Sequence, residues 1–310
     1  MKHVALVVPL FNEEENIKVL IAAIKAVFEK LPYTYNVILV DDGSRDRSLQ
    51  VVQEIALQDN TVNYISFSRN FGHQNALKAG LDHADADCVI SLDADMQHPP
   101  SMIPEMLQKW EEGFDVVYTV RKNTDGLSPM KKRSSSAFYQ LLNWLSEVDL
   151  EVGTPDFRLI GRNVLEVLRS LNEYDLFYRG LVKWVGFKQI ALEYEENMRF
   201  AGKSKYTFKK MFRLALQGIT SFSIRPLYAA AYLGFFSTIA SLLYFPYAAY
   251  SYFFGHVING WTSVIVTVAF FGGLQLTILG IIGIYLGKLF MQAKGRPLYI
   301  VKETNLYGRK

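Results

Sequence analysis

The stretch CVISLDADMQ (residues 88–97) is a short apolar run that ends in two aspartates, Asp93 and Asp95. Such a run is typical of a buried strand. Carboxylates at positions i and i+2 of an extended loop point the same way and can share a hard divalent cation. A second Asp-Ala-Asp, at residues 85–87, precedes the apolar run instead of ending it, and we interpret it as a solvated strand entrance.

The first 120 residues repeat this pattern of a short β-rich run followed by a helical one. We predict strands at residues 3–8, 35–40, 62–66, 88–92 and 115–119, and helices at 14–30, 44–59 and 99–112. Regular alternation of strands and amphipathic helices favours an α/β fold with a mostly parallel sheet and right-handed crossovers.

Polar residues follow the predicted strands, at the edge where open α/β sheets bind ligands. They are Asn12 and Glu13, Asp41 to Ser44, Ser68 to Asn70, and Asp93 with Asp95. No Gly-x-Gly-x-x-Gly follows the first strand, which weighs against a dinucleotide cofactor. Asp42 also stands before a predicted helix, so capping is an alternative role for its side chain.

The net charge of +3 hides an asymmetry along the chain. Residues 1–198 hold 20 Lys and Arg against 29 Asp and Glu, whereas residues 199–310 hold 13 against 1. The basic residues flank a stretch, 226–287, that has none of these four residue types. This arrangement predicts a bilayer as the partner and argues against nucleic acid.

The uncharged stretch divides into two apolar arms, 226–254 and 261–287. Each exceeds the roughly 20 helical residues that cross a bilayer, and a buried hairpin in a soluble core would have no solvent face. Because basic residues precede and follow the pair, we expect a multi-pass protein of the inner membrane with both termini in the cytoplasm. Residues 206–222 have amphipathic spacing, which fits either an interfacial helix or one packed on the soluble domain. The single cysteine, Cys88, fits a reducing compartment.

Four motifs now carry a family resemblance. They are VPLFNE (8–13), VDDGS (40–44), RNFGH (69–73) and DADMQHPP (93–100). In order and spacing they resemble the inverting family-2 glycosyltransferases with a GT-A fold, and more narrowly the polyprenyl-phosphate glycosyltransferases. The resemblance continues through TPDFRL (154–159), residues 199–206 and KGRPLY (294–299). One departure is Ile284 before Tyr285, where relatives often have an acidic residue.

The resemblance implies the organisation of the chain and its reaction. We expect a GT-A domain over 1–198, an interfacial segment over 199–225, the two spans within 226–287 and a cytoplasmic tail over 288–310. The implied reaction moves one sugar, with inversion, from a nucleotide sugar to undecaprenyl phosphate or another polyprenyl phosphate, for cell-envelope glycosylation. UDP-glucose is the favoured donor, while GDP-mannose, UDP-N-acetylhexosamine and aminoarabinose donors stay open. Glycines at 272, 273, 280, 283 and 287 are compatible with a homo-oligomer.

The resemblance also implies roles for single residues. It assigns the nucleotide to Pro9, Phe11, Glu13, Asp41, Asp42 and Asp93; Mg²⁺ or Mn²⁺ to Asp93, Asp95 and Gln97; and the lipid phosphate to Arg121, Arg133, Ser135 and Arg199. Asp156 occupies the position of the catalytic base. Because a phosphate monoester has a second pKa of about 6, the acceptor is largely a dianion at neutral pH. We therefore expect Asp156 to orient the nucleophile more than to deprotonate it, with turn capping after Pro155 as the alternative.

Two other functions compete with this reading. Processive polysaccharide synthases share the sheet and the paired aspartates, but they usually carry a Gln-x-x-Arg-Trp motif and more spans than this sequence has. A membrane adaptor that binds a nucleotide sugar without turnover is the alternative of another class, and the presence of Asp93, Asp95 and Asp156 argues against it.

Overall fold

Strands from both ends of the chain form one mixed, mostly parallel sheet. The computed structural model describes residues 1–121, 154–195, 220, 223–254 and 260–306. Within them the strands are β1 (His3–Leu10), β2 (Thr34–Asp41), β3 (Val62–Phe67), β4 (Cys88–Ser91), β5 (Val116–Arg121), β6 (Arg158–Gly161), β7 (Gln189–Tyr194) and β8 (Val301–Thr304). Their order across the sheet is β7-β5-β6-β4-β1-β2-β3-β8. The central pairs β4-β1, β1-β2 and β2-β3 are parallel, so their carboxyl ends meet at one edge.

Helices cover both faces of the sheet, which explains why the central strands are apolar almost throughout. The helices are α1 (Ile17–Phe28), α2 (Ser48–Gln58), α3 (His73–His83), α4 (Ile103–Glu111), α5 (Arg162–Ser170) and α6 (Tyr178–Trp184). Helices α1, α2 and α4 share one hydrophobic core with alternate residues of β1, and α3, α5 and α6 share the other. Helix α3 packs so closely on β1 that a side chain at Gly80 would collide with Val7.

The predicted strands and the α/β class are confirmed, and the structure adds two antiparallel strands at distant points of the sequence. Strand β6 lies between β4 and β5 and is antiparallel to both. Residues 301–304, within the segment that we expected to be a cytoplasmic tail, pair with β3 as strand β8. The polypeptide after the apolar stretch therefore returns to the sheet.

Two long apolar helices, α7 (Arg225–Phe253) and α8 (Trp261–Ala293), lie between these parts of the chain. The segments Arg225–Leu243 and Ser263–Ala293 have mean hydropathies of 1.4 and 2.2, and almost none of their residues are buried. Both are long and apolar enough to cross a membrane, as the two predicted spans require. The Tyr285 hydroxyl on α8 donates to the carbonyl of Ser223, just before α7, at 2.7 Å. The amphipathic segment 206–222 lies almost entirely outside the described residues.

Candidate active site

A cavity of about 460 Å³ opens at the carboxyl edge of β1, β2 and β4. Its wall includes five carboxylates and two basic side chains, namely Glu13, Asp42, Asp93, Asp95, Asp156, His73 and Arg179. Pro9, Phe11, Asn70, Gln74 and Phe177 complete much of the remaining surface. The excess of carboxylates means that a diphosphate would be repelled here unless cations accompanied it.

The loops after β1 and β2 hold each other in place. The backbone N–H of Asn12 donates to Ser44 Oγ at 2.9 Å, and that of Glu13 donates to Ser48 Oγ at 2.9 Å. Asn16 Nδ2 then donates to Glu13 Oε2 at 2.6 Å. These bonds fix the Glu13 carboxylate on the cavity wall beside the end of β1, where a ribose or base could be recognised.

Asp41 and Asp42 are neighbours in sequence, but their side chains accept hydrogen bonds from different parts of the structure. Asp41 accepts hydrogen bonds from the Ser44 N–H at 3.0 Å and the Ser66 hydroxyl at 2.9 Å, and it lies away from the cavity wall. Asp42 is on the wall and accepts from the N–H groups of Phe71 at 2.6 Å and Gly72 at 2.9 Å. It therefore fixes the loop after β3 and does not cap α2, the alternative left open above.

Burial raises the pKa of Asp42, and the hydrogen bonds from Phe71 and Gly72 offset this only in part. Gly43 beside it has φ +67°, and a Cβ there would collide with the backbone of Arg69. The close approach of these two loops thus requires glycine at position 43.

The aspartate pair that ends β4 also reaches the cavity, with Asp93 partly exposed and Asp95 buried. His98 Nε2 lies 3.0 Å from Asp93 Oδ2, and His98 Nδ1 lies 2.9 Å from the Tyr194 hydroxyl. The Arg121 Nε–H donates to that same hydroxyl at 3.4 Å. Two buried side chains, Tyr194 and His98, therefore join Arg121, at the end of β5, to Asp93.

Burial alone would raise the pKa of Asp93, but the hydrogen bond with His98 and the charge of His73 lower it below the usual value. Gln97 donates its backbone N–H to Asp95 Oδ1 at 3.1 Å, and its side chain is not part of the cavity wall. Asp93 is thus ready to bind a cation as an ionised carboxylate.

The two carboxylates fit a divalent cation of the Mg²⁺ type. In the portion of the chain that the structure describes, no group of three or more His, Cys, Asp or Glu side chains forms a closed metal cage. Mg²⁺ usually keeps several waters and is held by one or two carboxylates together with substrate phosphates. Asp93 and Asp95 offer such a set, which a diphosphate would complete.

Asp156 lies across the cavity and is surrounded by donors. Arg179 Nε donates to Oδ1 at 3.1 Å, Arg179 Nη2 to Oδ2 at 3.3 Å, and Gln74 Nε2 to Oδ2 at 3.2 Å. Arg158 Nη2 lies 3.5 Å from Oδ1. Burial would raise the pKa of Asp156, but Arg179, His73 and Arg158 hold it well below the usual range. Such a carboxylate is a weak proton acceptor.

His73 lies between Asp93 and Asp156, which are on opposite sides of the cavity. Its Nε2 lies 3.6 Å from Asp93 Oδ1 and 3.4 Å from Asp156 Oδ2. Burial acts to lower the pKa of His73, but the contact with Asp156 and the charges of both aspartates raise it to about 9. Burial lowers the pKa of Arg158 to about 10, so both side chains remain charged at neutral pH.

The structure brings most of the predicted site residues together. Pro9, Phe11, Glu13, Asp42, Asp93, Asp95 and Asp156 share the cavity wall, whereas Asp41 and the Gln97 side chain do not. Arg121 is connected to the site through Tyr194 and His98, and Arg133, Ser135 and Arg199 lie outside the described residues.

Sequence reasoning missed the roles of His73, Gln74, His98, Arg179 and Tyr194. The RNFGH motif contained His73, which could have been found from its place in that motif. Nothing in the surrounding sequence marked Arg179 or Tyr194, because their partners are far away along the chain.

Comparison with known proteins decides the family. The family model described as Glycosyl transferase family 2 matches residues 5–169. The chain belongs to this family. It is 44% identical over 305 residues to "Uncharacterized glycosyltransferase YkcC" of Bacillus subtilis (strain 168), covering 98% of this chain and 94% of the relative. It is 39% identical over 305 residues to the "SfII prophage-derived bactoprenol glucosyl transferase" of Shigella flexneri, covering 97% and 98%.

Among solved structures, mannosyl-3-phosphoglycerate synthase from Rubrobacter xylanophilus aligns with TM-score 0.50 and 18% identity, covering 70% of this chain and 71% of that one. This similarity concerns the fold alone. The family-2 resemblance inferred from the four motifs is confirmed, and the protein is a glycosyltransferase with a GT-A fold.

Proposed function

We propose that this glycosyltransferase moves a single glucose, with inversion, from UDP-glucose to the phosphate of a polyprenyl phosphate such as undecaprenyl phosphate. One observation carries the proposal: His73 spans Asp93 and Asp156 in a single cavity, so a metal-bound donor and an acceptor held near Asp156 would meet. The 39% identical Shigella relative, named for bactoprenol and glucose, supports this choice of acceptor and sugar.

The donor half of the site would be the wall formed by β1, β2 and β4. Pro9, Phe11 and Glu13 would contact the nucleoside, while Asp93 and Asp95 would hold Mg²⁺ or Mn²⁺ on the diphosphate. When bound, such an ion supplies positive charge that stabilises the departing nucleoside diphosphate. The carboxylate-rich wall supports metal dependence, since these side chains would otherwise repel the donor.

The acceptor half would be the group of cations around Asp156. A phosphate oxygen of the lipid attacks the anomeric carbon from the face opposite the diphosphate, and the bond from that carbon to the nucleotide oxygen breaks. Because the dianionic phosphate needs no deprotonation, Asp156 would serve, together with Arg179 and His73, to orient the acceptor. Forked guanidinium donors suit the phosphate of the acceptor, and Arg121, Arg133, Ser135 and Arg199 stay proposed as further contacts to it.

The apolar helices would keep this cavity at the membrane surface. The exposed faces of α7 and α8 need a bilayer to cover them, and basic residues flank the pair on both sides. We propose a multi-pass inner-membrane protein whose catalytic domain and termini face the cytoplasm, where nucleotide sugars are made. Self-association through the glycines of α8 stays a prediction.

Purified full-length protein supplied with radiolabelled UDP-glucose, undecaprenyl phosphate and Mg²⁺ should transfer label into the lipid fraction. Because the diphosphate needs a metal, chelation with EDTA should stop transfer, and excess Mg²⁺ or Mn²⁺ should restore it. Parallel reactions with GDP-mannose, UDP-N-acetylglucosamine and UDP-aminoarabinose identify the sugar. Donor binding without turnover across this panel would contradict the proposal and favour a non-catalytic adaptor.

A further inference from the structure

We propose that Arg179 is a positioning residue for Asp156 and that the last turns of α8 fix Arg179 in turn. The second apolar helix would therefore set the geometry of the catalytic cavity. This inference rests on the proposed function, and it gives roles to Arg179, Lys288 and Gln292, which neither the motifs nor the predicted site contained.

Helix α6 contacts Asp156 through the side chain of Arg179. Arg179 donates from Nε and Nη2 to the two carboxylate oxygens, at 3.1 and 3.3 Å. A planar fork of this kind fixes both the position and the rotation of a carboxylate, which a lysine ammonium cannot do. Arg179 also faces the cavity, so it can contact an anion there.

Gln74 provides a second connection between the same elements. Its Nε2 donates to Asp156 Oδ2 at 3.2 Å, and its Oε1 accepts the Tyr178 N–H at 3.1 Å. The first turn of α6 is thus tied to Asp156 both directly and through α3. A shift of this turn would move the carboxylate.

Helix α8 contacts the segment that leads into α6. The side-chain amide of Gln292 makes two hydrogen bonds to the backbone of this segment. Its Oε1 accepts the Tyr174 N–H at 2.6 Å, and its Nε2 donates to the Asn172 carbonyl at 2.8 Å. One turn earlier, Lys288 Nζ lies 2.7 Å from Asp175 Oδ2. Residues four apart share a helix face, so one face of α8 holds segment 172–175, which continues directly into α6.

The same end of α8 is attached to the sheet by the residues that follow it. After α8 the chain places Tyr299 on Phe67, with ring centroids 5.2 Å apart and an interplanar angle of 13°. The Tyr299 hydroxyl donates to Asp82 Oδ2 at 3.0 Å, and β8 then pairs with β3. The end of α8 is therefore fixed against the domain, which makes it a suitable support for Arg179.

The test compares four single variants with wild type in proteoliposomes. Gln292→Ala and Lys288→Ala remove the α8 contacts. Gln275→Ala and Lys294→Ala are matched controls, since Gln275 lies on an exposed part of α8 and Lys294, directly after α8, packs over the Phe290 ring. We expect kcat to fall roughly 3- to 10-fold in the first two variants, as for a lost hydrogen bond, with KM for UDP-glucose unchanged. The controls should retain wild-type kcat.

A double variant separates positioning from general stabilisation. Arg179→Lys should lower kcat by about 10- to 100-fold, the range expected when a reacting group is misplaced. If α8 acts through Arg179, Gln292→Ala should add little to that loss. The inference would be overturned if the loss of kcat in the double variant equalled the product of the two single losses. Unchanged kcat in both α8 variants would also overturn it.

Hydrogen–deuterium exchange gives a readout that does not depend on turnover. Peptides covering residues 172–179 should exchange faster in Gln292→Ala than in Gln275→Ala, and equal exchange would contradict the contact. Wild type without transfer from any donor would overturn the proposed function and this inference with it. If wild type is active and the two α8 variants have the same kcat as wild type, the inference alone would be overturned.

Discussion

Replacing Asp156 by asparagine should lower sugar transfer by about 10³-fold, a loss typical of removing a preorganised charged group from an active site. Asparagine has nearly the same size, but its amide cannot accept from Arg179 at both ends and would turn an NH₂ group toward a cation. Arg179 and His73 would then lose the anion that pairs with them. UDP binding in Mg²⁺ should stay within about twofold of wild type, since the nucleoside wall and the aspartate pair are untouched.

Initial rates of label transfer and calorimetric titration with UDP measure the two quantities separately. Asp85→Asn is a matched control because the Asp85 side chain is 96% exposed and far from the cavity wall. A thermal unfolding midpoint for each variant shows whether the loss of charge beside the buried Arg158 affects folding. Wild-type transfer by Asp156→Asn would remove its assigned role, and an equal loss of UDP binding would place Asp156 in the donor half.

Asp95→Asn should remove most of the metal-dependent affinity for UDP. The site offers two carboxylates, and cation affinity depends strongly on the number of ligand charges. We expect UDP binding in Mg²⁺ to weaken by at least about tenfold and transfer to fall by about 10²-fold. The affinity of this variant in Mg²⁺ should approach that of wild type in EDTA, because the substitution removes one of the two carboxylates that hold the metal and the chelator removes the metal itself.

The second Asp-Ala-Asp of the sequence provides the control for this prediction. Asp85→Asn makes the same substitution in the motif that precedes β4 instead of following it. Its UDP affinity should stay sensitive to EDTA and equal to that of wild type. Loss of EDTA sensitivity in both variants, or in neither, would contradict the assignment of Asp93 and Asp95 to the metal.

The parts of the site that follow directly from a strand could be predicted from sequence. Asp93, Asp95, Glu13 and Asp42 each come just after a strand, and parallel strands bring such residues to one edge. The prediction did not separate Asp41 from Asp42, because both stand at the end of β2. Only the positions of Ser66 and of the loop after β3 show that Asp41 bonds inward while Asp42 reaches the cavity.

Contacts between distant segments could not be predicted in this way. Strand β8 pairs with β3 across most of the chain, and no local pattern in residues 301–304 indicates that partner. Likewise Arg179 meets Asp156 only because α6 packs beside the start of α3, through Gln74. A single sequence contains the interacting residues but gives no signal of their proximity.

The most direct measurement of the central claim is an anomalous-difference map from crystals of the full-length protein grown with Mn²⁺ and UDP. We predict a manganese peak between Asp93, Asp95 and the UDP diphosphate, with His73 and Asp156 facing the phosphate that would carry the sugar. A peak elsewhere in the protein, or UDP bound outside this cavity, would contradict the account.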